Sequence, residues 1–128
     1  MRLTHSGAPL TVNTAISSHW TKREPIVKQW REDFFWLGMT IARKVAPPFG
    51  FEVYFDRCKG TKRQSLGDPV AHALLAKAAI DGLVDARVMP DDDGRYVKWV
   101  RFHAPVVCQD VAPGMIRLVL DVIEVQDM

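Results

Sequence analysis

A helical stripe of apolar residues in the first third of the chain sets the first limit on the fold. Apolar side chains recur every three or four positions over residues 22–46, at Ile26, Trp30, Phe34, Leu37, Ile41 and Val45. Thr21 and Glu24 have capping-box spacing, and Pro25 suits a first helical turn. The spacing therefore predicts a helix over 22–46 that ends before Pro47-Pro48.

Further patterns along the chain predict three strands and a second helix. Alternation at 51–55 predicts a strand with one buried face, formed by Phe51, Val53 and Phe55. Asp68 as N-cap and Pro69 predict a helix that runs to Asp85 or Ala86. Residues 96–105 and 115–125 read as strands. In the strand at 96–105 the residues expected to face inward are Val97 and Trp99, with Val100 as a further candidate. In the strand at 115–125 they are Ile116, Leu118, Leu120 and Val122.

The order helix, strand, helix, strand, strand predicts a single α+β domain in which a small mixed sheet is packed by two main helices. The 128 residues suit one domain. Residues 1–20 are expected to be irregular or weakly extended, with 1–12 irregular or disordered. No apolar run approaches the ~20 residues of a membrane span, and no signal-peptide pattern is seen. Cys58 and Cys108 suggest reduced thiols in a cytoplasmic protein, with a single disulfide as the alternative.

Charge is distributed unevenly along the chain. Residues 1–63 hold eleven Lys and Arg against five Asp and Glu, whereas residues 64–128 hold six against ten. A basic half beside an acidic half fits a protein that grips a polyanion with one part and holds a cation with the other. Chance clustering of solvated side chains is the simpler alternative.

The acidic half contains the candidate chemistry. Lys77, Asp81 and Asp85 are spaced by four, which predicts one polar stripe on an otherwise apolar helix. Asp91-Asp92-Asp93-Gly94 is either a polar turn or a carboxylate cluster that a divalent cation would stabilise. Asp68 is either a plain helix cap or a group near a metal-bound phosphate. His72 is a further candidate beside Asp68, although a lone helical histidine is more often structural.

The basic half contains the candidate phosphate contacts. Solubility explains these charges equally well, but phosphate contacts that position DNA without reading its sequence are the functional alternative. Trp20 and Trp36 are expected to be core or half-buried, with base stacking the less favoured role. The candidate cations are Lys22, Arg23, Lys28, Arg31, Arg43, Lys44, Lys59, Lys62 and Arg63. The sequence has no zinc-ligand spacing, P-loop, dinucleotide fingerprint or nucleophile elbow.

Taken in order, these motifs resemble the RusA family of Holliday junction resolvases, small endonucleases common in phages and prophages. The resemblance extends from about Pro9 to Val125. The family typically has an Asn, then His-Trp, then a basic helix with Trp-Arg, an Asp-x-Asp-Asn motif, a helix with Lys and Asp four apart, and two aspartates before a strand. The matching positions are Asn13, His19-Trp20, Trp30-Arg31, Asp68, Lys77, Asp81 and Asp91-Asp92.

The resemblance implies a dimer of mixed α/β subunits that hydrolyses branched DNA with magnesium, or manganese as the alternative ion, in the bacterial host cytoplasm. Asp68 and Asp92 would be metal ligands, with Asp91 as a supporting ligand, and Lys77 would lie near the scissile phosphate. Asp81 and His72 would be supporting residues. Asn13 and His19 would join the basic residues in contacting DNA.

The chain departs from the family pattern at two positions. Val70 and Ala71 stand where the second aspartate and the asparagine are expected. Asp91, Asp93 or His72 would have to compensate, and an aspartate is the better magnesium ligand. The functional hypotheses are therefore a magnesium-dependent endonuclease, a DNA-binding or scaffold protein of the same fold that cleaves poorly or not at all, and a protein–protein regulator without a DNA role.

Overall fold

The computed structural model describes residues 1–10, 20–58, 70–108 and 110–126, with the backbone alone at 20–22 and 58. These described residues form five strands and two helices. In chain order they are β1 (Arg2–Gly7), α1 (Trp20–Ile41), β2 (Phe49–Cys58), α2 (Ala73–Asp85), β3 (Val97–Phe102), β4 (Val106–Cys108) and β5 (Ile116–Glu124). The expected α+β class, with one mixed sheet and two packed helices, is confirmed.

The sheet has the order β1-β5-β2-β3. β4 pairs with the same edge of β2 as β3 does, but near the end of β2 rather than near its start. β5 is antiparallel to both β1 and β2, whereas β3 and β4 run parallel to β2. The segment β2–α2–β3 is therefore a parallel pair with a helical crossover, the connection that parallel strands require. This crossover brings the start of β3 beside Phe49, whose Cα pairs with that of Val97.

One face of the sheet forms the core, because apolar residues alternate along its central strands. In β2 the exposed fractions of Phe51, Val53 and Phe55 are 0, 0 and 1 %, as the alternation predicted. The inward residues of β5 are equally buried, and they join the helix residues Trp30, Phe34, Leu75 and Leu83 in one cluster. The intervening residues are half-buried on the opposite side, which we call the open face: Glu52, Tyr54, Asp56, Arg117, Val119 and Asp121.

The two helices pack closely at Gly82. A Cβ on Gly82 would lie 2.3 Å from the backbone oxygen of Arg31 and 2.9 Å from the backbone nitrogen of Phe35. Only glycine permits this approach of one helix backbone to another. Beside the contact, Arg31 donates two hydrogen bonds, of 2.6 and 2.8 Å, to the carboxylate of Asp85.

Both helices have different bounds from those predicted. α1 ends at Ile41 rather than at residue 46, and residues 42–44 form a turn in which the Lys44 amide donates to the Ile41 carbonyl. Prolines at 47 and 48 disfavour helical conformation just before them, so the apolar spacing at Val45 does not extend the helix. α2 begins at Ala73 with His72 as N-cap, not at Pro69. Its end at Asp85 is confirmed.

Two strands were missed by the sequence analysis. The expected irregular N-terminal segment contains β1, whose Leu3 is 5 % exposed and pairs with Leu120. Met1 and Leu3 are the only alternating apolar residues in the sequence there, and two residues are too short a pattern to recognise. β4 was also missed, because its three residues follow a break at Pro105.

Two tryptophan expectations need correction. Trp36 is 62 % exposed rather than core or half-buried, because it lies off the apolar stripe of α1. Trp99 was expected to face inward, but a register shift between Phe49 and Gly50 places it beside Gly50, where a Cβ would lie 2.1 Å from the indole. Trp20 belongs to the backbone-only part of α1. Neither described helix is long and apolar enough to cross a membrane.

Candidate active site

The ammonium group of Lys77 bridges two carboxylates from different parts of the chain. It donates a 2.7 Å hydrogen bond to Asp81, one turn farther along α2, and a second hydrogen bond to Asp92 in the loop before β3. The Lys77 and Asp81 side chains share one exposed stripe because residues four apart lie on the same side of a helix. The pattern predicted that stripe, and the crossover adds Asp92 to it.

The loop between α2 and β3 is held in place at both ends. At the end of α2 the Arg87 amide donates to Val84 and the Val88 amide donates to Leu83, with Arg87 at φ 61°. This is the Schellman arrangement, here with arginine at the left-handed position that usually takes glycine. Val88 and Met89 are then buried, at 3 and 1 % exposure. These anchors fix the path of the chain immediately before the aspartates.

Asp93 closes the loop against the start of β3. Its backbone oxygen accepts hydrogen bonds from the amides of Tyr96 and Val97, and its carboxylate is bound by the Arg95 guanidinium at 2.7 Å. Arg95 also holds the pKa of Asp93 below its usual value. Because both carboxylate oxygens contact Arg95, Asp93 serves the loop structure and is poorly suited to replace the carboxylate expected at position 70.

The ion pair fixes the charge states of the bridging groups. Hydrogen bonds from Lys77 hold the pKa of Asp92 below its ordinary value, against the opposing effect of burial. Partial burial alone would lower the pKa of Lys77, but the hydrogen bonds to Asp81 and Asp92 outweigh it and the pKa is raised. Asp92 is therefore an anion and Lys77 a cation throughout the neutral range.

The carboxylates have the chemistry of a magnesium site. Asp81 and Asp92 carry two negative charges against the one positive charge of Lys77, which leaves a net charge of −1 on this solvent-accessible group, and Asp91 directly precedes Asp92 in the chain. Magnesium prefers carboxylate oxygens and keeps several waters, so few protein ligands suffice. Asp91 points one oxygen at the Asp92 amide, at 2.7 Å, which orients its carboxylate. Within the described ranges no three His, Cys, Asp or Glu residues cluster as a ready-made metal centre.

Several predicted site residues lie outside the described ranges. The first is Asp68, the residue expected to hold the metal together with Asp92. The other residues outside them are Asn13, His19, Lys59, Lys62 and Arg63. Lys22 lies in α1, where only the backbone is described.

His72 has a different environment from the one expected of a metal ligand. It is 4 % exposed, and its imidazole packs against the Phe55 ring with the ring centroids 5.2 Å apart. Lys77 is five residues farther along and lies on the exposed side of α2. His72 therefore occupies the core side of the helix start, whereas the Lys77 cluster faces solvent. The apolar contact favours the structural role for this histidine.

The predicted DNA-contacting residues of α1 fall into two groups. Arg23 and Lys28 are exposed on the first half of the helix. Arg31 is also exposed, but its guanidinium is engaged by Asp85, and its pKa is raised by those hydrogen bonds. Its positive charge is thus largely balanced by the carboxylate beside it, and Lys28 is the better candidate for a phosphate contact.

Sequence reasoning missed an aromatic and charged cluster at the β2–β3 end of the open face. Arg101 lies over the Trp99 ring, 4.4 Å from its centroid, and donates to Glu52. His103 bonds to the same Glu52 carboxylate and stacks on Tyr54 at 4.2 Å. The only signal in the sequence was the alternation of these residues with buried ones, and pairing across strands supplies the rest.

Comparison with known proteins leaves the family unassigned. A scan against protein-family models finds no match to this chain. A search of curated proteins likewise finds no relative with significant similarity.

Proposed function

We propose that this protein is a magnesium-dependent, structure-specific endonuclease that cleaves branched DNA of the Holliday junction type. The observation that carries the proposal is the bridge from Lys77 to Asp81 and Asp92. It joins a cation suited to a phosphate and carboxylates suited to magnesium, which are the residues that the resemblance to RusA resolvases singles out. Manganese would serve as an alternative ion.

In the proposed site, the aspartates would bind the metal ion and Lys77 would bind the phosphate. Asp91 and Asp92 would hold the ion, with Asp68 as the further ligand that the resemblance implies. When bound, magnesium would activate a water for in-line attack on phosphorus and offset charge on the phosphate. Lys77 has three N–H donors, of which two are directed at Asp81 and Asp92. The third would donate to a non-bridging phosphate oxygen and stabilise the charge that develops there.

The basic first half of the chain would hold the DNA. Exposed Arg23 and Lys28 on α1 would contact phosphates, together with the predicted contacts that lie outside the described ranges. Such contacts position a duplex without reading its sequence. We further propose a homodimer, which would present two sites to the two cut strands of a junction, in the cytoplasm of a bacterial host that carries the gene on a phage or prophage.

The second candidate is a DNA-binding or scaffold protein of the same fold that cuts poorly or not at all. It is favoured by Val70, which stands where the resemblance expects a carboxylate. Val70 is 47 % exposed, so an aspartate there would be solvated and would not disrupt the core. The substitution Val70→Asp is therefore a usable test of the missing ligand.

The decisive experiment is cleavage of a synthetic four-way junction with magnesium or manganese. Wild type should cut, Asp92→Asn should lose cleavage and retain binding, and Asp93→Asn should cut because its carboxylate is engaged by Arg95. Binding without cutting by wild type, with cutting gained in Val70→Asp, would support the second candidate. Failure to bind branched DNA at low salt would contradict both and favour a protein–protein regulator.

A further inference from the structure

The backbone positions of two cysteines pair across the sheet although fifty positions separate them in the chain. β2 and β4 pair in parallel, and the Cα partners in this pairing are Asp56 with Val106, Arg57 with Val107, and Cys58 with Cys108. Cys108 is a half-buried free thiol. These are the two cysteines of the chain, so their pairing in register is a specific property of this fold.

The backbone geometry of this pairing matches that of a disulfide. Neighbouring strands lie about 4.8 Å apart, and disulfide-linked residues have Cα atoms roughly 4.4–6.8 Å apart. Positions that are opposite in register also lie on the same face of a sheet. Positions 58 and 108 therefore have a Cα separation within the disulfide range and lie on the same face of the sheet.

We propose that Cys58 and Cys108 form a reversible intrachain disulfide under oxidising conditions. A small-molecule disulfide such as oxidised glutathione would supply the oxidant. One thiolate attacks it to give a mixed disulfide and release one glutathione. The second thiolate then displaces the other glutathione, so that two protons and two electrons leave the protein and two glutathione thiols form.

The position of the bond gives it a structural consequence. It would close a loop that contains Asp68, Lys77, Asp81, Asp91 and Asp92. It would also fasten the last residue of β2, from which the segment 59–69 departs, to the short strand β4. A cross-link that closes a loop of this length stabilises a fold mainly by restricting the unfolded chain. This inference depends on the β2–β4 register alone and stands apart from the proposed nuclease activity.

The test is titration of the folded protein with oxidised and reduced glutathione, followed by alkylation, non-reducing peptide mapping and mass spectrometry. Wild type should lose both free thiols, give a peptide linking Cys58 to Cys108, and melt on the order of 10 °C higher than the reduced form. Cys58→Ser and Cys108→Ser should each give only a mixed glutathione disulfide and no such rise.

A matched control tests whether the folded structure, and not merely the presence of two cysteines, favours the disulfide. The same titration in concentrated guanidinium chloride should require a more oxidising glutathione ratio, because the strand pairing no longer holds the two positions together. If the folded and the denatured protein required the same ratio of oxidised to reduced glutathione to form the disulfide, the proposal would be overturned. So would mixed disulfides at both cysteines of folded wild type, or a disulfide between two chains on a non-reducing gel.

Discussion

Lys77 and Asp92 form an ion pair that joins helix α2 to the loop before β3, across fifteen positions of sequence. Lys77 also binds Asp81, so its ammonium is held from two sides while its side chain remains 57 % exposed. A cation held in this way is preorganised, because its position is set before any phosphate arrives. Lys77 is therefore the residue at which the proposed catalytic role can be separated most cleanly from a structural one.

Replacing Lys77 by methionine should lower the single-turnover rate of junction cleavage by about 100-fold at saturating protein, since it removes a donor aimed at developing charge. The free energy of unfolding should change by less than about 1 kcal/mol, because both ion pairs are solvent-exposed. Urea denaturation measures the second quantity. Lys44→Met, which removes the same charge from the turn after α1, should leave the saturated rate unchanged. Equal losses in both variants would contradict the role of Lys77.

The Arg2–Asp121 pair should make stability depend on pH in the acid range. Hydrogen bonds from Arg2 lower the pKa of Asp121 from its ordinary value of 3.8, against the opposing effect of burial. The pair thus contributes its stability above pH 3.8, and the contribution is lost as the pH falls through the lower folded pKa.

A double-mutant cycle of Arg2→Gln and Asp121→Asn measures this contribution. Urea denaturation at pH 6 should give a small favourable coupling, as is typical of exposed ion pairs. The coupling should shrink as the pH falls below 3.8 through the lowered folded pKa of Asp121, because the carboxyl then becomes protonated. A coupling that grows in acid would show that the pair is not the source of the stability.

Gly82→Ala should destabilise the protein by about 1–3 kcal/mol. The added methyl would meet the backbone of α1, at Arg31, which cannot rotate away as a side chain would. Chemical denaturation measures the loss. Gly94→Ala is the matched control, since a Cβ there has no heavy atom within 4 Å among the described residues, and it should be neutral or slightly stabilising. A similar loss in both variants would argue against helix contact as the cause.

Asp85→Asn should strengthen binding to branched DNA. The substitution releases the Arg31 guanidinium from its bidentate partner and removes a negative charge beside it. One added phosphate contact should steepen the dependence of log affinity on log salt by about 0.9. Fluorescence anisotropy over a salt series measures both quantities. Asp121→Asn frees Arg2 on the opposite side of the sheet and should have a smaller effect, whereas equal effects would indicate net charge alone.

Strong periodicity allowed most of the fold to be predicted from the sequence. The buried residues of β2 and β5 alternate without interruption, and the apolar stripe of α1 identifies Trp30 and Phe34 as core. Burial on one face dictates such patterns, so they can be recognised without tertiary information. β1 and β4 could not be found in this way, because they are short and gain their stability from pairing with long neighbours.

The candidate site was only partly predictable, for a physical reason. The spacing of Lys77 and Asp81 is local, so the helix periodicity predicted their shared stripe. The addition of Asp92 depends on the crossover and on the Schellman turn at Arg87, where an arginine gives no sequence signal of the left-handed conformation. The pairing of Arg31 with Asp85 is likewise non-local, and it reduces the free charge that composition had assigned to α1.

The close approach at Gly82 also bears on how the molecule can move. Sliding α1 along α2 by about one turn would bring Ala78 or Ala86, which lie four residues from Gly82 on the same side of the helix, against the backbone that now touches glycine. The contact therefore opposes shear, that is, sliding of one helix along the other. The spacing between the basic surface of α1 and the carboxylates near Lys77 is accordingly a fixed dimension of the molecule. Binding of the proposed branched DNA would therefore not involve sliding of these two helices against each other.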